Sequence, residues 1–368
     1  MIHIFPVVVS IVGLFFLANA LILGHELGHY WMARATGVTA RRFALGFGPR
    51  VVEWTDRRGT VWSLSLLPIG GYVSFPGEQN AEEKGGYLNR RPPARMAIIA
   101  AGPLANILVA IAIYAGMFMV QGMPVFLPIA SSIIPGSPAA QAGFQVGDRI
   151  VAVSDIAVTN FDALHSILES NPGKNLAFAV SRGGKIVNLR ATLDSKRAGS
   201  GKVGYLGIWS NVAARQKMGP GRAVLAASER TWQVVTQTFQ GIDRALTTGQ
   251  GTGNFTGIIG VAHLAGQAAE AGGDTLLTLM AVLSINLALM NLLPIPVLDG
   301  GAFLFCPFEW VRGRPAPDRV HDFASRGGVA VIMCLFLYTT VHDLAGLGIF
   351  NWFASVAHAA TGTHNGPN

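Results

Sequence analysis

This 368-residue sequence has little charge and almost no cysteine. Asp, Glu, Lys and Arg make up 13% of the residues and hydrophobic types 51%, and mean hydropathy is +0.42. Soluble globular chains are about one quarter charged, so an ordinary soluble enzyme is excluded. The two cysteines, Cys306 and Cys334, lie in or beside apolar stretches. They can build neither a disulfide framework nor a multi-cysteine metal site. No basic tract carries the interleaved aromatics of a strand-binding groove, so the net charge of +7 has another origin. Internal repeats are missing too. So is the pattern of a cleavable leader: Met1-Ile2-His3 has no basic residue, no small-residue cut site closes the first apolar run, and His25 and Glu26 stand where cleavage would fall. That run is expected to be a retained helix.

Long apolar runs, in contrast, are plentiful. About 20 residues cross roughly 30 Å of hydrocarbon, and four stretches are long enough: Ile4 to Gly24, Met96 to Gln121, Leu276 to Leu298 and Gly328 to Phe350. The sequence therefore reads as a polytopic α-helical membrane protein with about four transmembrane helices. Basic residues fall between the first and second runs (Arg34, Arg41, Arg42, Arg50, Arg57, Arg58, Lys84, Arg90, Arg91, Arg95) and after the third (Arg312, Arg314, Arg319, Arg326). The positive-inside rule puts both segments in the cytoplasm and the N-terminus, residues 122–274 and the C-terminus outside.

The outward segment divides in two. Within residues 122–210, Gly136 to Ala139 opens a short helix, Asp148 to Val153 is a strand, and Asn160 to Ser170 is a helix. Strands Asn175 to Ser181 and Ile186 to Leu193 then meet at Gly183-Gly184, a hairpin signal. Residues 211–274 hold Leu225, Ser228, Trp232, Val235, Phe239, Ile242 and Leu246 at helical spacing, an amphipathic helix followed by a connecting loop. Residues 1–121 and 275–350 carry the apolar runs, and 351–368 form a polar tail.

His25-Glu26-Leu27-Gly28-His29 is HExxH. On a helix both imidazoles share one face a turn apart, where they can hold Zn²⁺ while the glutamate takes a proton from water. Three ionisable groups at the end of a membrane run are costly unless they pair or bind an ion. A catalytic zinc wants a third protein ligand and an open position. Asp299 stands out, because Pro294, Pro296, Gly300 and Gly301 break the helix around it, and irregular backbone at membrane depth survives where it lines a cavity. The first and third runs both travel inward, so His25 and Asp299 arrive near the same leaflet. As a structural alternative, Asp299 is a turn or N-cap residue. Asn286 and Asn291 either donate to a developing oxyanion or cap helix ends freed by the prolines. Gly24 and Gly28 read as room for a cavity. His165 belongs to the outward module, and His263, His321, His342 and His358 have no partner at ligand spacing.

HELGH, Gly46 to Pro49, Leu67 to Val73, Ala101 to Asn106 and Asn291 to Gly301, in that order, resemble the site-2 protease family of intramembrane zinc metalloproteases, nearest its bacterial branch that cleaves anti-sigma factors. Gly136 to Gly143 with Val146 to Ile150 is similar to a PDZ domain. The resemblance implies Zn²⁺ on His25, His29 and Asp299, Glu26 as general base, and Asn286 and Asn291 lining the substrate site. It further implies a membrane-associated β-loop over residues 43–75 that takes an unwound substrate as an added strand, and one extracytoplasmic PDZ-like α/β domain acting as a size filter, a binder of freed C-termini or a passive spacer. Implied partners are the lipid bilayer and single-span substrates such as anti-sigma factors, with remnant signal peptides a further class, at a bacterial inner membrane. The sequence departs from the family in having Ala302 where histidine is frequent, and in placing Gly204 to Ile208, which looks like a carboxylate-binding loop, after its module. Against the hydrolase stand a non-catalytic scaffold that captures C-termini through the PDZ-like module and a metal-ion transporter.

Overall fold

The computed structural model describes residues 4–77, 86–198, 201–248, 257–313 and 318–346; the polar tail, His358 and the end of the fourth apolar run lie outside them. In chain order the elements are helix α1 (Ile4–Ala35), strands β1 (Arg42–Thr55) and β2 (Val61–Ser74), helix α2 (Pro92–Val120), strands β3 (Met123–Phe126) and β4 (Ser132–Ile133), and helix α3 (Pro138–Gln141). Next come β5 (Arg149–Val153), β6 (Ile156–Ala157), α4 (Phe161–Glu169), β7 (Asn175–Arg182), β8 (Lys185–Thr192), β9 (Asp194–Ala198), β10 (Gly201–Tyr205), β11 (Ile208–Trp209) and β12 (Ala213–Gln216). Helices α5 (Pro220–Thr248), α6 (Ile258–Ala271), α7 (Gly273–Asn291), α8 (Asp299–Arg312) and α9 (Asp318–Gly346) complete the chain. It forms two compact units, one of Met1–Ala115 with Val224–Asn368 and one of Gly116–Ala223.

In the helical unit, three helices among the described residues are long and apolar enough to span a bilayer: Pro92–Val120, Gly273–Asn291 and Asp322–Ala345. Helix α1 continues three turns past the expected end at Gly24, so HELGH lies within it. The third run stops as a helix at Asn291, because prolines 294 and 296 forbid its continuation. The expected loop after α5 holds α6 instead. Its small residues nestle on α1, with Gly13 facing the Ala265 carbonyl, and 14 residues are too few to announce themselves as a span.

Strands β1 and β2 each bend on themselves, at Gly46 and Gly48 in one and Gly70 in the other, all with φ between 86 and 90°. Left-handed φ is free of cost only for glycine. The bends create four segments: residues 50–55 pair with 61–65, 61–64 with 42–45, and 42–45 with 71–74. Residues 71–74 thus form an edge. Tyr30 of α1, Phe43 and Trp62 cluster at ring distances of 4.5 to 5.9 Å and fasten this curl to α1. Arg95 of α2 and Glu309 of α8, both nearly buried, pair at 2.9 Å, fixing the helix that begins at Asp299.

The smaller unit is an α/β module. Its sheet runs β6-β5-β7-β8, turning at Gly183-Gly184 with φ of 57 and 83°. Ser137 caps α3 by accepting from the Ala140 N–H, and Asn160 caps α4 by accepting from the Ala163 N–H. Phe144, Ile150, Val153, Leu164, Phe178, Val180 and Leu206 fill one core. Asp148 is buried there. It accepts the Gln145 N–H at 2.9 Å and two Arg182 N–H groups at 2.8 and 2.7 Å, and the Arg182 guanidinium holds its carboxyl below the usual carboxylate range.

Candidate active site

Close passage of α2 behind α1 builds the site. A Cβ at Gly28 would stand 2.7 Å from Ala105 Cβ and overlap the Ala101 carbonyl, and one at Gly24 would stand 3.3 Å from Val109. These glycines therefore make room for α2, which corrects their reading as cavity-formers. On α2, a Cβ at Gly102 would overlap His29 Nε2 and stand 2.8 Å from His25 Cε1. Backbone meets imidazole directly. Small residues at helix crossings are how membrane helices approach this closely.

The histidines lie edge to face, ring centroids 4.7 Å apart, and His29 Nδ1–H donates to the Ile98 carbonyl of α2 at 2.8 Å. That bond fixes the tautomer and leaves Nε2 with its lone pair inward. His25 Nε2 is 3.1 Å from His29 Nε2. Asp299 Oδ2 completes the group, 3.1 Å from His25 Nε2 and 3.4 Å from His29 Nε2. Asp299 is the first residue of α8, whose N-cap is Leu298, so the N-cap alternative for it falls. The amide end of α8 favours its negative charge.

Would a divalent metal fit these residues? The three ligand-type atoms lie within 4.8 Å of one another, and the buried Asp299 Oδ2 faces the two imidazole Nε2 atoms with no other hydrogen-bond donor among the described residues. Two neutral imidazoles, one carboxylate and an open side match the donor set of a catalytic zinc. The residues fit.

Glu26 lies beside this group, sharing one cavity with Val73 of the β2 edge. That cavity, of about 520 Å³, is lined among others by His25, Glu26, His29, Phe47, Tyr72, Asn291 and Asp299. Asn291 Nδ2 is 3.5 Å from His25 Nε2. Asn286 is not among the lining residues; its Oδ1 accepts from Thr238 Oγ of α5 at 3.2 Å. Of the six residues singled out from the sequence, five are brought together and Asn286 is held by α5. Ala302 also lines the cavity.

Ile98 was not singled out in the sequence, and Gly102 and Asn106 stood there only within the Ala101 to Asn106 motif, with no role at the site; all three lie on α2. Asn106 is fully buried within the apolar run that follows Arg95 in α2, with its amide against His25; a lone asparagine in such a run was the available signal. Other histidines among the described residues have partners of their own. His165 pairs with Glu169, His263 with Gln267, and His342 stacks on Tyr338; the His321 side chain lies outside the described set.

A bent sheet edge, an HExxH helix and a converging aspartate within an apolar helical unit define a membrane-embedded zinc metalloprotease. The model of peptidase family M50 matches residues 13–335, and the chain belongs to that family. A relative in Mesorhizobium japonicum that carries a zinc metalloprotease name is 33% identical, across 92% of this chain and 99% of its own. Metalloprotease MmpA of Caulobacter vibrioides is 30% identical across 95 and 98%. Regulator of sigma-E protease RseP of Salmonella typhimurium is 28% identical across 91 and 96%. Among solved structures, the PDZ domain of an SdrC-like protein from Listeria monocytogenes aligns with 24% of this chain and 86% of its own, at 18% identity and a TM-score of 0.20.

Proposed function

We propose that this metalloprotease hydrolyses peptide bonds within or near the transmembrane helices of single-span membrane proteins, with His25, His29 and Asp299 as zinc ligands. The observation that carries the reading is the convergence of those three groups with Glu26 and Asn291 in one cavity. When bound, zinc polarises the scissile carbonyl and makes water acidic near neutral pH. Glu26 takes the proton of the attacking water and delivers it to the leaving nitrogen. Asn291 donates its amide to the carbonyl oxygen as negative charge develops. Glu26 and Val73 of the sheet edge line one cavity, which sets the base next to the strand that receives the substrate.

A helical substrate hides its carbonyls in its own hydrogen bonds, so it must first be drawn out. Residues 71–74 offer an edge for that extended segment, and pairing through the backbone gives affinity with little sequence choice. Substrates with helix-breaking residues are therefore preferred. Anti-sigma factors are the proposed class, supported by the relative named regulator of sigma-E protease. The basic inter-helix segments support an inner-membrane topology with the site near the cytoplasmic face and the α/β module, read as PDZ-like, outside. That module filters substrates or captures C-termini freed by an earlier cut.

Glu26→Gln in full-length protein tests the mechanism. Zinc content stays near one per chain while cleavage of a single-span reporter disappears. Cleavage that survives this change removes Glu26 from its role. Loss of zinc on changing His25, His29 or Asp299 singly tests the ligand set.

A further inference from the structure

Behind His25, on the side away from Asp299, sits the Asn106 side chain, 0% exposed. Its Nδ2 lies 3.5 Å from His25 Nδ1, and its Oδ1 is buried without a hydrogen-bond partner. An unsatisfied carboxamide oxygen in an apolar helix bundle costs free energy. A carboxamide NH₂ faces each ring nitrogen of His25 at 3.5 Å, Asn106 at Nδ1 and Asn291 at Nε2, and the nearer Asp299 acceptor, 3.1 Å from Nε2, favours the proton there. With the proton on Nε2, that nitrogen donates to Asp299 Oδ2 at 3.1 Å, and Nδ1 accepts from Asn106.

A metal ion changes this demand. Its ligand nitrogen must present a lone pair, so the His25 proton moves to Nδ1. Nδ1–H then faces the Asn106 NH₂ group, donor against donor. A half-turn of the carboxamide about its last bond exchanges oxygen and nitrogen, and Oδ1 accepts from Nδ1–H. Gly24 lies beside the carboxamide, an added Cβ there being 3.7 Å from Oδ1, and leaves the turn unobstructed by a side chain.

Resting on the ligand reading above, we infer that Asn106 is a positioning residue of the metal centre: its carboxamide serves His25 as donor without metal and as acceptor with it. His29 has a fixed acceptor, the Ile98 carbonyl, and needs no such partner. The two imidazoles are thus oriented by one helix in two ways, one rigid and one reversible. Serine could supply both roles only by a shorter reach, leucine neither, and aspartate the acceptor alone. Partners of this kind on metal-bound histidines typically change metal affinity ten- to a hundredfold.

The experiment measures zinc affinity of the full-length protein in detergent by competition with a chelator, for Asn106→Leu, Asn106→Asp, Ser284→Ala and His25→Ala. Ser284 donates to the Asn106 backbone carbonyl at 2.8 Å, so its loss disturbs the same helix pair without touching the carboxamide. We expect a ten- to hundredfold weakening in Asn106→Leu, retention within about threefold in Asn106→Asp, and little change in Ser284→Ala. Affinity within twofold of the parent in Asn106→Leu, or equal losses in the leucine and aspartate variants, overturns the inference. If His25→Ala keeps its zinc, the ligand reading itself has failed, a separate result. Nitrogen-15 spectra of ring-labelled histidine in the unaltered protein give a measurement free of folding effects: zinc-loaded His25 protonated on Nδ1 supports the inference, and binding through Nδ1 overturns it.

Discussion

The two units of this protein are held together by opposite means. In the α/β unit large apolar side chains face inward, with Phe178, Ile150 and Leu164 at 1% exposure or less. In the helical unit many large side chains face out, as Phe323, Val311 and Leu108 do, and beside the buried Tyr30, Phe43, Ile98 and Ile285 the tightest inner contacts fall to Gly28, Ala101, Gly102, Ala288 and Gly301. Lipid supplies no hydrophobic drive between helices, so close approach and hydrogen bonds replace apolar bulk. Helix α5 shows the same inversion at one remove: its buried line is Ala227, Thr231 and Val234, while Leu225 and Trp232 are each 67% exposed. Water-facing folds are thus stabilised by what their side chains add, and this membrane site by what its glycines omit.

The largest expected effect tests the first half of that contrast. Phe178→Ala removes the ring that packs edge-on against Phe144 at 5.4 Å, and should destabilise the α/β unit by about 3–5 kcal/mol. Hydrogen exchange across β5, β7 and β8 should rise while zinc content is unchanged. If zinc is lost in parallel, the two units do not stand on separate footings.

Gly102→Val tests the second half. It adds methyl groups where His25 and His29 already touch backbone, and a displaced ligand near 1 Å costs about 100-fold in rate, equivalent to about 2.7 kcal/mol. Zinc binding and reporter cleavage should fall together, with helix content retained. Full activity in this variant would show that the crossing is loose.

A third change returns to the α/β unit and to charge. Asp148 is ionised in the fold at a pH where the unfolded chain is already protonating, so its bonds stabilise above its unfolded value near 4 and are lost as pH falls through the lower folded value. Asp148→Asn should cost about 1.5–3 kcal/mol at neutral pH and should flatten the acid limb of stability. An unchanged limb assigns acid sensitivity elsewhere.

This contrast also governs what could be read beforehand. Ser137, Asn160 and the Gly183-Gly184 pair gave away helix starts and a hairpin because caps and turns are local devices, and the structure places those elements within one or two residues of expectation. HExxH spacing and the break around Asp299 were local too, and the fold brings them together. Legibility ended where helix-to-helix register decides. Nothing in the period of α2 says that Asn106 meets His25 or that Ile98 meets His29. Nor does the period of α7 say that Asn286, on one helix with Asn291, is turned by five residues of rotation toward Thr238. Helix α6 escaped notice because small residues give no apolar stripe.

The last and smallest effect isolates omission itself, in two neighbouring glycines of α9. Gly328 abuts the Pro296 carbonyl of the loop that leads to Asp299, its added Cβ only 2.8 Å from the carbonyl carbon, whereas Gly327 has nothing within 4 Å. That loop contains Val297 at φ 107°, a conformation that β-branched residues adopt only when their surroundings hold them. Alanine at 328 must push either α9 or the loop, so Asp299 shifts while both histidines stay in place. Alanine at 327 meets open space and, by replacing glycine within a helix, should if anything stabilise it by a few tenths of a kcal/mol. We expect about a tenfold loss of zinc affinity, near 1.4 kcal/mol, for Gly328→Ala and none for Gly327→Ala, read by chelator competition. Equal effects at both positions would mean that the approach of Gly328 to the loop does not hold Asp299; the predicted difference would make that close contact the support on which the carboxylate ligand rests.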